Sequence, residues 1–159
     1  MPFVNTSSAS GLYLKYRAFL VENITYPGPV MVATHWIVNL EHVPSGSLRQ
    51  TLEVVQRDFD RDPASVVGEQ AWAGVQAALK ATGLDYCGVD FGVDHRGVPV
   101  LFEVNPAMRL SLDRASALPW PQAAYLNAAC AFNRMLSRRV GGPEVDMVPS
   151  GAPKGAKCT

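Results

Sequence analysis

The chain contains no apolar run near the roughly 20 residues that cross a bilayer, and its first residues, MPFVNTSSASG, lack a basic start followed by an apolar stretch. A cytoplasmic protein is therefore expected, without a spanning helix or a secretory leader. Charge of one sign is not in excess: Lys plus Arg and Asp plus Glu are both 14, so no summed field draws in nucleic acid or an anionic membrane. Cysteine is scarce. Cys87, Cys130 and Cys158 are odd in number and widely separated, which argues against a disulfide-dense scaffold and against the close pairs of a zinc site. No histidine stands in a motif that would activate a thiol. A glycine-rich phosphate loop and an HRD catalytic loop are also missing, so the DFG at 90–92 does not indicate a kinase.

What is present is ordinary globular material. With 159 residues, 48% of them hydrophobic, the chain can bury one core and is read as one domain over residues 12–139, with a loose start at 1–11 and a mobile tail at 140–159. YRAFLVEN and VMVATHWIVNL are rich in β-branched and aromatic residues and predict a hairpin turning at TYPGP. Leu48, Leu52, Val55 and Phe59 recur at helical spacing. Asp62 as cap with Pro63 in the first turn opens a second helix through Val66, Val67, Ala71, Val75, Ala78 and Leu79 to Gly83. After a loop, RLSLDRASALPW, Pro121 opens a third helix with Ala124, Tyr125, Ala128, Ala131, Phe132 and Met135 on one side. The expected class is α+β, a mostly antiparallel sheet packed with about three helices.

The chemistry concentrates in LDYCGVDFGVDHRGVPVLFEVNPAM, residues 84–108. GVDFGV and VPVLFEVN are separated by Asp94, His95, Arg96 and Gly97, with Gly97 suited to a left-handed turn position and Asp94 to serving the turn. If Val93 faces Val98, Asp90 faces Leu101, and alternation puts Asp90, Leu101, Glu103 and Asn105 on one face with Glu103 diagonal to Asp90. The other face, from Val89 and Phe91 through Val98, Val100, Phe102 and Val104, would be core. Two unpaired carboxylates close together repel. A divalent cation resolves this, and two carboxylates with an amide suit Mg²⁺ or Mn²⁺. The competing reading is a solvated hairpin face.

GVDF, a turn and then FEVNP resemble the metal-binding end of the ATP-grasp superfamily. YLKYRAFLVEN, YP, HWIVN and LDYCGVDF extend the likeness to a bacterial subgroup often fused to tetratricopeptide repeats, over about residues 11–138. Where the subgroup has histidines, this chain has Pro29 and Asn39. The resemblance implies that Asp90, Glu103 and Asn105 hold Mg²⁺ on the phosphates of ATP, and that a carboxylate is activated as an acyl phosphate and joined to an amine or thiol. It also implies an upstream subdomain, supplying phosphate lysines and the adenine hinge, that this chain does not include. A small carboxylate and ATP would be the ligands, with neither nucleic acid nor membrane as partner. The chain would then be the carboxy-terminal piece of a ligase, or a truncated remnant that binds Mg-nucleotide weakly or packs against a partner.

Further candidates surround this set. Arg17, within an apolar strand, is a phosphate or acyl-phosphate contact or else an edge-strand charge, and Lys15 shares its face but would snorkel to solvent. Arg109 is a substrate contact or a solvated loop charge. Leu101 by strand parity, or Phe102 by resemblance, would wall the base. Trp36 is expected in the core, with His35 on the opposite face as a polar surface residue or a cleft residue. The sequence also resembles the metal centre of restriction-type nucleases, against which neutral charge and Asn105 argue.

Overall fold

The computed structural model describes residues 4–8, 10–38, 45–110 and 123–143. Four strands, β1 (Tyr13–Val21), β2 (Ile24–Ala33), β3 (Tyr86–Val93) and β4 (Pro99–Asn105), form one antiparallel sheet in the order β2-β1-β3-β4. Four helices accompany it: α1 (Gly46–Arg61), α2 (Pro63–Val67), α3 (Glu69–Ala81) and α4 (Ala123–Arg139). The α+β class expected from the sequence is therefore observed. Among the described residues no helix is long and apolar enough to cross a membrane.

The first hairpin turns earlier than expected. Glu22 and Asn23, both at positive φ (47° and 70°), form the two-residue turn, and TYPGP lies within β2 instead. Two left-handed central residues match the right-handed twist of the flanking strands, so this turn closes more tightly than one at Pro27–Pro29 would. The prolines are tolerated because β2 is an edge strand and bulges there: Tyr16 pairs with Val30 and Ala18 with Pro27, so Gly28 and Pro29 together oppose Arg17. The fully buried Gln56 of α1 completes the backbone bonding at this irregularity. Its Oε1 accepts from the Val30 N–H at 2.6 Å, and its Nε2 donates to the Gly28 carbonyl at 3.1 Å. β2 ends at Ala33, which leaves His35 exposed and Trp36 67% exposed, outside the core expected for the tryptophan.

The helices α1, α2 and α3 cover one face of the sheet, where Tyr16, Leu20, Val30, Leu52, Phe59, Val75, Leu79, Val89 and Phe91 are buried together. Tyr16, Phe59, Phe91 and Trp72 stack through this core with ring centroids 5.0 to 6.5 Å apart. The helix expected from Asp62 to Gly83 is broken in two. Gly68 adopts φ 90° and ψ 143°, conformations open to glycine, so α2 stops and α3 restarts. The Asp62 cap is present, accepting from the Ser65 N–H at 3.4 Å, and Gly83, at φ 68°, follows the last turn of α3. On the opposite face α4 packs Tyr125, Ala128, Ala131 and Met135 over Phe19 and Val21, at the helical spacing read from the sequence. Pro121, most of the preceding loop and residues 144–159 lie outside the described residues. At the amino end, Ser7 bridges to Tyr13, so residues 5–8 turn back against β1.

Candidate metal and anion site

The face that carries α4 at one end carries a line of charges at the other. Arg17 of β1 pairs with Asp90 of β3, and Asp90 pairs with Glu103 of β4, so the three stand side by side across three neighbouring strands. Asn105 lies one step along the same face, opposite Gly88. The expected sharing of a face by Asp90, Glu103 and Asn105 is thus found, but by a different route. The connection is one residue longer than expected: Val93 opposes Pro99 and not Val98, with Gly97 at φ 77° and the Asp94 N–H donating to the Val98 carbonyl at 3.0 Å. That shift alone would turn Glu103 to the helical side. A bulge corrects it, because Asp90 pairs with Glu103 while Phe91 pairs with Leu101, leaving Phe102 as the extra residue.

The same two irregularities reassign the neighbours. Leu101, placed by parity beside Asp90, instead opposes the core residue Phe91, and Val100 opposes Gly92 on the charged face. Phe102 does not join the core. A Cβ built on Gly92 would lie 2.9 Å from its ring tip and 3.1 Å from Thr6, so the ring crosses the strand two residues from Asp90 on Asp90's own side. On Asp90's other flank a Cβ on Gly88 would strike Met108 at 2.6 Å. Alternation in GVDFG therefore gives Asp90 a glycine on each side, and Met108, Phe102 and Thr6 close over those gaps. Asp90 is left only 4% exposed.

A buried carboxylate needs partners, and this one has two. The Arg17 guanidinium donates to both oxygens, Nε to Oδ1 at 2.6 Å and an Nη to Oδ2 at 3.0 Å, while Lys15 Nζ lies 3.3 Å from Oδ2. Burial works against the Arg17 charge, but the hydrogen bonds and charge of Asp90 outweigh it and raise the pKa above the ordinary guanidinium value. The edge-strand reading of Arg17 fails because β1 is internal to the sheet. Lys15, expected to snorkel, folds onto Asp90. Its parity with Arg17 was the signal available in the sequence.

Glu103 is exposed and accepts from the Asn105 side-chain N–H at 2.8 Å, and the Asn105 amide oxygen accepts from the Ala107 N–H at 2.8 Å. Arg109 is exposed and forms no ion pair among the described residues, and His35 lies beyond the end of β2, off the paired sheet. Among the described residues no three acidic, histidine or cysteine side chains converge as a metal centre. The donor set itself, two carboxylates and an amide on adjacent strands, has the all-oxygen chemistry that fits Mg²⁺ or Mn²⁺. Asp90 would have to exchange its cationic partners to take part. Beyond Asn105, a cleft of about 340 Å³ opens between the NPAM turn and α4, lined by Tyr86, Met108, Leu110, Phe132 and Asn133 among others. Its size is at the lower end for small-molecule sites.

In comparisons with protein-family models, curated proteins and solved structures, nothing matches this chain.

Proposed function

We propose that the chain is the phosphate-binding, carboxy-terminal part of an ATP-dependent carboxylate ligase of ATP-grasp type, acting with an upstream subdomain that supplies the rest of the nucleotide site. One observation carries the reading: Arg17, Asp90 and Glu103 occupy one transverse row of an antiparallel sheet, with Asn105 beside them on the same face. With Lys15 two residues along β1, the row presents oxygen donors to a cation and guanidinium and ammonium donors to oxyanions, the two needs of a metal–triphosphate ligand. Asp90, Glu103 and Asn105 would hold Mg²⁺ or Mn²⁺, which when bound supplies neutralisation of the β- and γ-phosphate charge.

The chain's own groups do the positioning. Arg17 and Lys15 would align the transferring phosphoryl group and steady the acyl phosphate formed on the substrate carboxylate. Phe102, on the charged face, would wall the nucleotide, and Leu101, on the other, supports the strand from behind. Arg109, exposed after the turn, is free to meet a substrate carboxylate, and the cleft beside the turn has room for a small acid. No protein nucleophile is required, because the attacking amine or thiol belongs to the second substrate. A cytoplasmic setting goes with ATP as co-substrate.

The test uses the chain joined in frame to the coding sequence immediately upstream. Mg–ATP at about 100 times its Kd should add about 2.7 kcal/mol of stability, a rise of about 5–10 °C in melting temperature at this size. ADP release should require both Mg²⁺ and an added carboxylate, and both responses should vanish in Glu103→Ala. Absence of any Mg–ATP shift would reject the reading, and Mg²⁺-dependent cleavage of plasmid DNA would replace it with a nuclease. The chain without its upstream part should shift little.

A further inference from the structure

Resting on that reading, we propose that Lys15 and Arg17 form an oxyanion site whose resident occupant is the Asp90 carboxylate, so that a polyphosphate enters only in exchange, as a divalent cation takes Asp90. The receptor is already built. The Arg17 fork engages two carboxylate oxygens at 2.6 and 3.0 Å, and Lys15 converges on the second of them at 3.3 Å. Two oxygens of a phosphoryl group satisfy the same fork, and a second cation beside it suits the larger charge. The Arg17 stem runs across Gly28 of β2, where a Cβ would lie 3.1 Å from its Cγ, so the absence of a side chain there leaves room for it. The Lys15 and Arg17 side chains keep 18 and 14% exposure where Asp90 keeps 5%, so the cations reach solvent and the carboxylate does not.

The charges explain why exchange is required. An anion arriving alone must displace Asp90 and leave a buried carboxylate unpaired, and a cation arriving alone must strip Asp90 from two positive groups and leave them unpaired. When both arrive, each freed group gains a partner: Asp90 and the adjacent Glu103 face the cation, and Arg17 and Lys15 face the polyphosphate. Glu103 is poised for this, because its contact is the neutral Asn105 amide and not either cation. Metal and anion then raise each other's affinity by the same factor, as linkage demands.

Calorimetric titration of the chain with inorganic tripolyphosphate, in EDTA and in excess MgCl₂, tests the exchange. Wild type should bind about tenfold or more tightly with Mg²⁺, within the usual range of such couplings. Asp90→Asn should bind metal-free tripolyphosphate about tenfold more tightly than wild type and respond little to Mg²⁺. Asp58→Asn, which alters net charge equally on α1, should show no gain. If Asp90→Asn does not fold, Glu103→Gln at its exposed position decides, because its Mg²⁺ response should shrink to below about threefold. A full Mg²⁺ response in Glu103→Gln, or no metal-free gain in a folded Asp90→Asn, overturns the proposal. Since tripolyphosphate has no nucleoside, the ligase reading fails separately if the extended chain prefers ATP no more than tripolyphosphate.

Discussion

Two acidic side chains taken out of water show how partners decide a residue's behaviour. Asp90 is met by a guanidinium and an ammonium, and so remains a counter-ion. Asp60, partly buried on α1, is met among the described residues by the Gln56 amide at 2.9 Å. Burial raises its pKa to about 6, and the Gln56 hydrogen bond, which favours the charged form, offsets only part of that rise. The folded state therefore binds the Asp60 proton more tightly than the unfolded chain. The stability this supplies is fully present below the unfolded value near 4 and is lost as the pH rises through about 6. Asp60→Asn keeps an acceptor for Gln56 and removes the buried charge. Thermal melts from pH 4 to 8 should find the variant more stable than wild type above pH 6, with the gap closing toward pH 4, and a gap independent of pH would refute the assignment.

At the scale of the element, the β3–β4 hairpin depends on Asp94 as much as on its strands. The Asp94 carboxylate accepts from the Val98 and Arg96 backbone N–H groups, both at 2.9 Å, and pairs with the Arg96 guanidinium at 3.0 Å. The Val98 bond most of all holds its pKa below the usual carboxylate range. Its contribution is therefore present above the ordinary aspartate value and is lost as the pH falls through the lowered one. Asp94→Ala should melt at a lower temperature at pH 7 and lose less of its remaining stability than wild type on acidification below about pH 4. This turn was legible in part: Asp94 and Gly97 were read as turn residues, but the loop length was one residue off, and the bulge at Phe102 left no pattern in VPVLFEVN. Two displacements of opposite effect brought Glu103 and Asn105 back to the expected face. Leu101 and Phe102, lying between them, exchanged sides. Alternation fixes a face only within an unbroken ladder, so parity misplaced both side chains once the bulge intervened. The first hairpin was misread for a related reason, since Pro and Gly in TYPGP mark a bulged edge strand as readily as a turn.

For the molecule as a whole, the layers leave one margin uncovered. Helices bury side chains of β1, β2 and β3, whereas β4, one of the two outer strands, meets α3 at Pro99 beside Gly74 and keeps Leu101 at 40%, Phe102 at 49% and Val104 at 40% exposure. The core residues of β3 were predictable from their apolar run. The exposure of β4 was not, because periodicity shows which side chains are apolar and not whether anything lies against them. An outer strand with apolar side chains on both faces invites pairing with another sheet edge, and natural edges usually oppose this with charge, proline or a bulge. Here the defences are Pro99 at the start of the strand, the bulge at Phe102 and the exposed Glu103 carboxylate, which leave Leu101, Phe102 and Val104 uncovered around them. Sedimentation of the chain alone should therefore show an average mass that rises with concentration. Leu101→Lys, which adds an inward-facing charge next to that edge without entering the charged row, should suppress the rise. If wild type remains monomeric across the same range, or if Leu101→Lys associates equally, strand-edge pairing is not what the exposed margin of β4 supports.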